Sequence, residues 1–283
     1  MPSSPSSSAQ TARKDVADRL RELMQDAGLQ GRELADLCNW HPSKTSRIIN
    51  ATTAPADADI RAWCRACGVD GEADDLIAKS RAADSMYLEW RRMERTGLRA
   101  AQESVRPIYE RTKRFRAYAS WLVPGLLQTP AYTTAILSAI RDRRGLVDDV
   151  AAAVEERMAR QHVLTEGNHR FAVLIEESVL RNGLGGPDVM RAQLEHLLSV
   201  GRLPNVSVGI VPMEPNRERA WPVEGFWIYD TSQVSVELVS GYLTITQPSE
   251  IAMYGRVFSE LGELAVHGPK ARQLVKDAIS SLS

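Results

Sequence analysis

The chain has 283 residues and a formal net charge of −1, with 43% hydrophobic and 25% charged residues. This composition is typical of a globular protein, the near-zero net charge argues against a general polyanion binder, and no apolar run approaches the roughly 18 residues that a membrane span needs. Positions 79–116 carry 11 Lys/Arg against 5 Asp/Glu, whereas positions 117–283 carry 15 against 19. The basic excess therefore lies in a middle segment.

Residues 1–12 are rich in Ser and Pro and lack the basic start and the apolar stretch of a signal peptide, so they are interpreted as a disordered lead-in. The three cysteines, Cys38, Cys64 and Cys67, indicate no disulfide framework, and a reducing cytoplasm is the expected compartment. With His41 they have spacings seen in zinc sites, but buried free cysteines on core-facing helix positions explain them better. We expect no metal and no cofactor.

Four short helices are predicted in residues 13–72, an all-α head. Apolar residues at positions 16, 20, 23, 24 and 27 share one helical face, and Gly28 ends that helix. A second helix covers about residues 32–38, with positions 34, 35, 37 and 38 turned inward, and Asn39 follows it in a left-handed conformation. Pro42 suits the first turn of a third helix that ends near residue 50. A fourth helix covers about residues 57–67.

The second and third helices, separated by a short break, form a helix-turn-helix. Thr45, Ile48 and Ile49 form an apolar back for the third helix, whose polar front suits a major groove about 12 Å wide. The residues predicted to contact DNA lie on this front and at the start of the second helix: Gln30, Gly31, Arg32, Ser43, Lys44, Ser46, Arg47 and Asn50. The structural alternative is an ordinary αα-hairpin with solvated polar positions.

A charged helical connector is predicted for residues 73–120. Its arginines Arg91, Arg92, Arg95 and Arg99 either contact DNA phosphates or form a solvated, dimer-forming face, and a structural role is favoured. The connector leads to an α+β domain over residues 121–283.

β-rich runs at 171–177, 206–213, 225–230, 234–239 and 242–246 predict a mainly antiparallel sheet, because most of them are close together in the chain. Alternation in GFWIYD places Phe226 and Ile228 on one face and Trp227 and Tyr229 on the other. Trp227 and Tyr229, with Trp221, are candidate contacts for a partner protein or a ligand; the alternative is that both faces are simply covered.

Motifs for an enzyme are weak. NGLGGP at 182–187 lacks the Lys and Ser/Thr of a phosphate loop, and the histidines show no pairing with a nucleophile. Glu176 and Glu177 are adjacent in a predicted strand and so face opposite sides of it. We expect no enzymatic activity.

LADLCNWHPSKTSRIIN at 34–50 resembles the Xre/Cro-repressor-type helix-turn-helix, a lambda-repressor-like fold, although Asn39, Ile49 and Ala51 replace the Gly, Glu and Gly of that pattern. VPGLLQTPAYTTAIL at 123–137 and LPNVSVGIVPM at 203–213 are similar to WhiJ-like, antitoxin-like actinobacterial regulators with a family-specific C-terminal domain. The resemblance covers about residues 13–279.

This resemblance implies a cytoplasmic, homodimeric transcriptional regulator that binds operator DNA sequence-specifically. Its C-terminal domain would dimerise and take input from a ligand or from a small protein encoded nearby. The alternative is an antitoxin-like module that sequesters a small partner and binds DNA weakly or not at all.

Overall fold

In a computed structural model of the protein, the structure describes residues 7–85, 87–89, 97–213, 217, 220–239 and 241–282. The chain divides into two compact units, one of Met1–Leu88 with Leu243–Ile245 and one of Glu89–Tyr242 with Thr246–Ser283. Over the ranges just given, the helices are all too short or too polar to cross a bilayer.

The N-terminal unit contains α1 (Ser7–Asp26), α2 (Gly31–Leu37), α3 (Pro42–Ile49), α4 (Asp57–Ala66) and α5 (Ala73–Ser85). The four helices predicted for residues 13–72 are confirmed, but α1 begins at Ser7, so the prediction of a disordered lead-in over residues 1–12 is wrong from Ser7 onward. Gly28 and Asn39 have φ values of 69° and 53°, so the left-handed helix ends predicted there are confirmed as well.

Trp63 lies at the centre of this unit's core. Its side chain is fully buried, and its indole N–H donates to the Leu20 carbonyl at 2.9 Å. Trp40 packs against it with 6.2 Å between ring centroids. The inward position predicted for Leu37 is wrong, since its side chain is 62% exposed. The buried face of α2 is centred between Leu34 and Ala35, and residue 37 lies more than a quarter-turn away from that centre.

The C-terminal unit follows a short strand, β1 (Tyr87–Glu89). After β1, the helices and strands in chain order are α6 (Leu98–Glu103), α7 (Arg106–Arg111), β2 (Arg114–Ala119), α8 (Pro130–Arg144), α9 (Val150–Ala159), β3 (Arg170–Glu176), α10 (Pro187–Val200), β4 (Val206–Val211), β5 (Phe226–Tyr229), β6 (Gln233–Glu237), β7 (Gly241–Ile245), α11 (Pro248–Leu264), β8 (Val266–His267) and α12 (Gly268–Ser280). All of them belong to the C-terminal unit except the last three residues of β7.

The sheet is mixed, so the prediction of a mainly antiparallel sheet is imprecise: among the described strands, β2, β3 and β4 run parallel to one another. The strand order is β7-β6-β5-β2-β3-β4-β8. β2 pairs in parallel with β3 and β3 with β4, whereas β5 is antiparallel to β2, β6 to β5, and β8 to β4. The physical reason is the length of the connections: α8 and α9 lie between β2 and β3, and α10 lies between β3 and β4. Long helical crossovers return the chain for parallel pairing.

The central strand β2 lies where a helical connector was predicted, so that prediction is wrong over residues 114–119. Phe115 is paired with Phe171 of β3 on one side and with Tyr229 of β5 on the other. The segment before it consists of two helices of six residues each, α6 and α7, rather than one long helix.

Both faces of β5 are covered. Phe226, Ile228 and Tyr229 are buried, and Trp227 is half-buried. Tyr229 packs against Tyr109 of α7, with 5.8 Å between ring centroids. The aromatic pair predicted as a contact surface therefore faces the inside of the unit.

Candidate nucleic-acid interface and ligand cavity

The turn between α2 and α3 is held by local backbone geometry. Asn39 adopts φ +53°, and the Trp40 N–H donates to the Ala35 carbonyl at 2.8 Å. His41 caps α3 through Nδ1, which accepts from the Ser43 N–H at 3.3 Å. A Cβ at Gly31 would lie 3.7 Å from the Thr45 methyl group, so the two helices pack closely at this point.

The front of α3 is exposed as a continuous polar face. Thr45 and Ile48 are buried on the opposite side. Ser43, Ser46, Arg47 and Asn50 are exposed, and their spacing of three or four residues places them on one face. Of the other residues predicted to contact DNA, Gln30 and Arg32 are exposed, and Gly31 and Lys44 are half-buried.

The basic side chains on this surface differ in whether an acidic residue of the chain pairs with them. Neither Arg32 nor Arg47 forms an ion pair with another residue in the described part of the chain. Lys44 Nζ, in contrast, lies 2.6 Å from Asp59 Oδ1 and 4.4 Å from the centroid of the Trp40 ring. Its charge is therefore largely neutralised from within the unit.

Other features weaken the attraction of this unit for phosphate, one at the start of α2 and others outside α2 and α3. Glu33 accepts a hydrogen bond from the Gln30 N–H at 2.7 Å, which puts a carboxylate at the start of α2. Several basic side chains elsewhere in the unit are paired, as in Arg19–Glu72 and Arg61–Asp74, each at 2.8 Å. Residues 1–88 carry 11 Lys/Arg and 13 Asp/Glu, a net charge of −2.

The cysteines are packed into this unit's core. Cys64 is buried, and Cys38 and Cys67 are half-buried. Burial, with a smaller contribution from the neighbouring thiols, raises the pKa of Cys67 to about 11. Among the residues whose placement is described, no three His, Cys, Asp or Glu side chains are grouped as metal ligands would be.

The C-terminal unit contains a cavity of about 200 Å³, here called the aromatic cavity. Its lining includes Tyr109, Trp227, Tyr229 and Tyr242. The rings of Trp227 and Tyr229 are nearly parallel, with centroids 6.2 Å apart. Two of the three predicted partner- or ligand-binding residues thus meet here, whereas Trp221 does not line the cavity and is 70% exposed.

Two arginines that the sequence analysis missed also line the aromatic cavity. Arg157 is on α9, and Arg160 is the first residue after the end of that helix. Gln102 Oε1 accepts from Arg157 Nε at 2.9 Å and from Arg160 Nη2 at 2.7 Å. Gln128 Oε1 accepts from Arg157 Nη1 at 2.9 Å. Because these residues come from separate parts of the chain, no local motif indicates that they meet.

The glutamines are held in place by the surrounding structure. Gln128 is buried, and its Nε2 donates to the Val123 carbonyl at 2.6 Å. Gln102 is on α6, which begins where Asp149 accepts from two backbone N–H groups, at 3.0 and 2.9 Å. A Cβ at Gly97 would lie 2.3 Å from this carboxylate, and Gly97 has φ +104°. Glycine is therefore required where α6 begins.

The remaining sites from the sequence analysis are engaged elsewhere. Arg99 pairs with Glu103 at 2.9 Å, and Arg91, Arg92 and Arg95 lie outside the described residues. Glu176 accepts from the Tyr118 hydroxyl and from Arg217, each at 2.6 Å. Glu177 accepts from Arg181 at 2.9 Å. The two carboxylates have different partners and do not share a site.

A family model described as a domain of unknown function (DUF5753) matches residues 108–277, which is more than half of the chain. The chain belongs to the DUF5753 family. A second model, described as a helix-turn-helix domain, matches residues 15–76 of this DUF5753 protein. The N-terminal unit therefore contains a helix-turn-helix domain, with α2 and α3 at its centre.

The comparison with curated proteins gave no match. One similar solved structure is that of TrmBL2, described as an archaeal chromatin protein that shows a novel mode of DNA binding. The two are 11% identical, the match covers 89% of this chain and 100% of that chain, and the TM-score is 0.33. A score this low supports no argument about this protein.

Proposed function

We propose that this DUF5753 protein is a cytoplasmic, homodimeric transcriptional regulator that binds operator DNA sequence-specifically. The observation that carries the proposal is the front of α3, where Ser43, Ser46, Arg47 and Asn50 are exposed together on a helix-turn-helix domain. The guanidinium of Arg47 has no ion-pair partner among the described residues, so its donors are available for a ligand outside the chain.

The size of α3 fits this role. Its eight residues span about 12 Å, and a helix enters the major groove of B-DNA with its polar front toward the base edges. Arg47 would donate two hydrogen bonds to guanine, as arginine does in the commonest base-specific contact. Ser43 is in the first turn, and Gln30 to Arg32 lie at the start of α2, which suits contacts with phosphates.

The proposal includes a homodimer because one N-terminal unit has little electrostatic attraction for DNA. The net charge of residues 1–88 is −2, and Lys44 is paired with Asp59. Two units that are linked through a dimer bind with a high effective concentration at the second half-site. The C-terminal unit would supply this linkage and take the input, and the aromatic cavity supports a small ligand as that input.

The test is a selection of DNA sequences from a random library, followed by fluorescence anisotropy with the selected and with random DNA. Arg47→Ala should cost about 1–3 kcal/mol of affinity for the selected DNA and little for random DNA. The matched control is Arg65→Ala, which removes an exposed arginine of α4 at the same net charge change. An equal loss on both DNAs would assign Arg47 to a phosphate, and unchanged affinity would refute its role.

A second candidate is an antitoxin-like module that sequesters a small protein encoded nearby. The negative charge of residues 1–88 and the paired Lys44 favour it. It predicts that the selection enriches no sequence above random, while the purified small protein forms a stoichiometric complex with this chain in analytical ultracentrifugation. Enrichment of one sequence would leave regulation by DNA binding as the primary function.

A further inference from the structure

The arginine pair of the aromatic cavity has an unusual electrostatic environment. Arginines that are removed from water are normally paired with carboxylates. Neither Arg157 nor Arg160 has such a partner within the ranges that the structure describes, and their acceptors, Gln102 and Gln128, are neutral. Two like charges are thus held close together by a common acceptor, which leaves positive charge uncompensated.

Arg160 has a further hydrogen-bond donor to offer. Its side chain lines the cavity, the residue is only 6% exposed, and its Nε–H is buried without an acceptor in the described structure. Buried donors are rarely left unsatisfied, because the loss of water costs free energy unless another acceptor replaces it. The unmet requirement at this point is therefore for an acceptor, and a negatively charged one would also compensate the charge.

The charges around the cavity also favour a negatively charged ligand. Burial, followed by the positive charge of Arg160, lowers the pKa of Arg157 to about 10, and Glu237 acts in the opposite direction. Glu237 is the carboxylate among the described lining residues, and its side chain is exposed. Among the described lining residues, the arginine pair and this one exposed carboxylate leave a net charge of +1 at neutral pH.

The wall beside the arginine pair is aromatic. The guanidinium of Arg160 lies over the ring of Tyr109, 5.2 Å from its centroid. Tyr109 contacts Trp227, with 6.1 Å between centroids, and Trp227 is half-buried, so part of its ring faces the cavity. Such a wall accommodates a flat apolar group through dispersion and ring-edge contacts. A cavity of about 150 Å³ holds benzene, so about 200 Å³ holds one ring with a small substituent.

We infer that Arg157 and Arg160 form the anion-binding end of a small-molecule site for a single-ring organic acid. The carboxylate or phosphate of this ligand accepts from the guanidinium groups and from the buried Arg160 Nε–H, and its ring lies against Tyr109 and Trp227. This identifies the chemical class of the input ligand, and it rests on the proposed function only for the step from ligand binding to DNA affinity.

A second cavity of similar volume, about 210 Å³, does not have these properties. It lies between α10, β4 and α12, and its lining is mainly aliphatic. Its arginine, Arg272, is exposed to solvent, and none of the buried unpartnered donors in the described structure lies on its wall. The aromatic cavity is therefore the better candidate.

The direct test is isothermal titration calorimetry of the full chain with four probes. Benzoate and phenyl phosphate combine a ring with an anionic group, benzamide is the neutral counterpart of benzoate, and inorganic phosphate lacks the ring. At least one of the first two should bind at one site per chain, at least about tenfold more tightly than benzamide and inorganic phosphate, because charge-assisted hydrogen bonds are involved. Comparison of benzoate with phenyl phosphate identifies the anionic group. Absence of saturable binding by both would overturn the inference.

A variant that places a carboxylate of the chain beside the arginine pair is the most specific control for anion binding there. Gln102→Glu preserves the side-chain shape and places a carboxylate where Gln102 Oε1 already accepts from both arginines. It should weaken binding of the anionic probes at least about tenfold and leave Tm unchanged or raised. Arg143→Gln, on the exposed face of α8, changes the net charge by the same amount away from the cavity and should bind as the wild type does. Wild-type affinity of Gln102→Glu would refute the arginine pair as the binding site.

Two further measurements keep the inference separate from the proposed function. Arg157→Gln should also weaken probe binding about tenfold, and it serves if Gln102→Glu fails to fold. DNA affinity is then measured with and without the better probe. Probe binding without any change in DNA affinity supports the inference and contradicts the input role. Failure of both anionic probes to bind, with DNA binding intact, overturns the inference and leaves the DNA-binding proposal standing.

Discussion

The ion pair between Lys44 and Asp59 determines how much positive charge α3 presents to solvent. Asp59 lies in the first turn of α4, where its second oxygen accepts from the Ala56 N–H at 3.1 Å. The sequence predicted Lys44 as a DNA contact because it lies beside Ser43 and Arg47. Its partner is 15 residues further along the chain, a separation at which sequence spacing predicts no contact.

Asp59→Asn should therefore strengthen DNA binding. Asparagine retains an acceptor for the Ala56 N–H, while Lys44 is released to neutralise one phosphate. The slope of log affinity against log salt should steepen by about 0.9, which corresponds to a gain of up to about tenfold at 0.1 M salt. Fluorescence anisotropy at several salt concentrations measures it.

Asp57→Asn is the matched control, because Asp57 is also in the first turn of α4 and pairs with Arg81 instead. It should change the salt slope less than Asp59→Asn does. Identical slopes for the two variants would show that Lys44 does not reach a phosphate even when it is released.

At the scale of elements, the end of α3 stores backbone strain. Ala51 has φ +52° and occupies the left-handed position of a Schellman-type end, where the Thr52 N–H donates to the Arg47 carbonyl at 2.9 Å and the Ala51 N–H to the Ile48 carbonyl at 3.0 Å. A non-glycine residue pays about 1–2 kcal/mol for this conformation. The helix-turn-helix pattern that this stretch resembles has a glycine at the position of Ala51.

Ala51→Gly should raise the free energy of unfolding by about 0.5–1 kcal/mol, since relief of strain exceeds the extra entropy of glycine in the unfolded chain. Chemical denaturation followed by circular dichroism measures this. Ala78→Gly, at an exposed position within α5, should instead lower it by about 1 kcal/mol. Destabilisation of equal size by both substitutions would contradict the strain at Ala51.

Helices α1 to α4 were predictable because each is amphipathic and bounded by a residue with a clear conformational preference, such as Gly28 or Pro42. The strand β2 was missed for the opposite reason. Its alternation of Phe115 and Ala117 with arginines is a strand pattern, but it follows a long charged stretch whose composition favours helix. Without β2 at the centre of the sheet, the parallel pairing of β3 could not be inferred either.

At the scale of the whole molecule, the aromatic cavity combines residues that the sequence indicates as a site with residues that it does not indicate. Trp227 and Tyr229 were singled out by alternation alone, and the structure places both on the cavity wall. Arg157, Arg160 and the two glutamines come from three other segments, and only the tertiary fold brings them to that wall. The chemistry of a site that is assembled from such distant segments is visible only in three dimensions.

The N-terminal unit should fold when it is separated from the rest of the chain. The core of the N-terminal unit, from Val16 on α1 to Ile77 on α5, lies entirely within residues 1–88. A fragment of these residues should therefore fold, and circular dichroism should show its helices.

This fragment should bind the selected DNA at least about a hundredfold more weakly than the full chain. It has a net charge of −2 and few phosphate contacts, so it gains little from counterion release. In the proposed homodimer, two N-terminal units would be linked, and the full chain would gain about 10²–10⁴ in affinity through effective concentration. The selected DNA should then be an inverted repeat with half-sites about one helical turn apart, because a two-fold symmetric dimer imposes that arrangement.

Sedimentation equilibrium at the concentration of the DNA assay measures the oligomeric state directly. A full chain that is monomeric there, yet still binds a single half-site as tightly as the inverted repeat, would contradict both the dimer and the proposed role of the C-terminal unit in linking the two DNA-binding units.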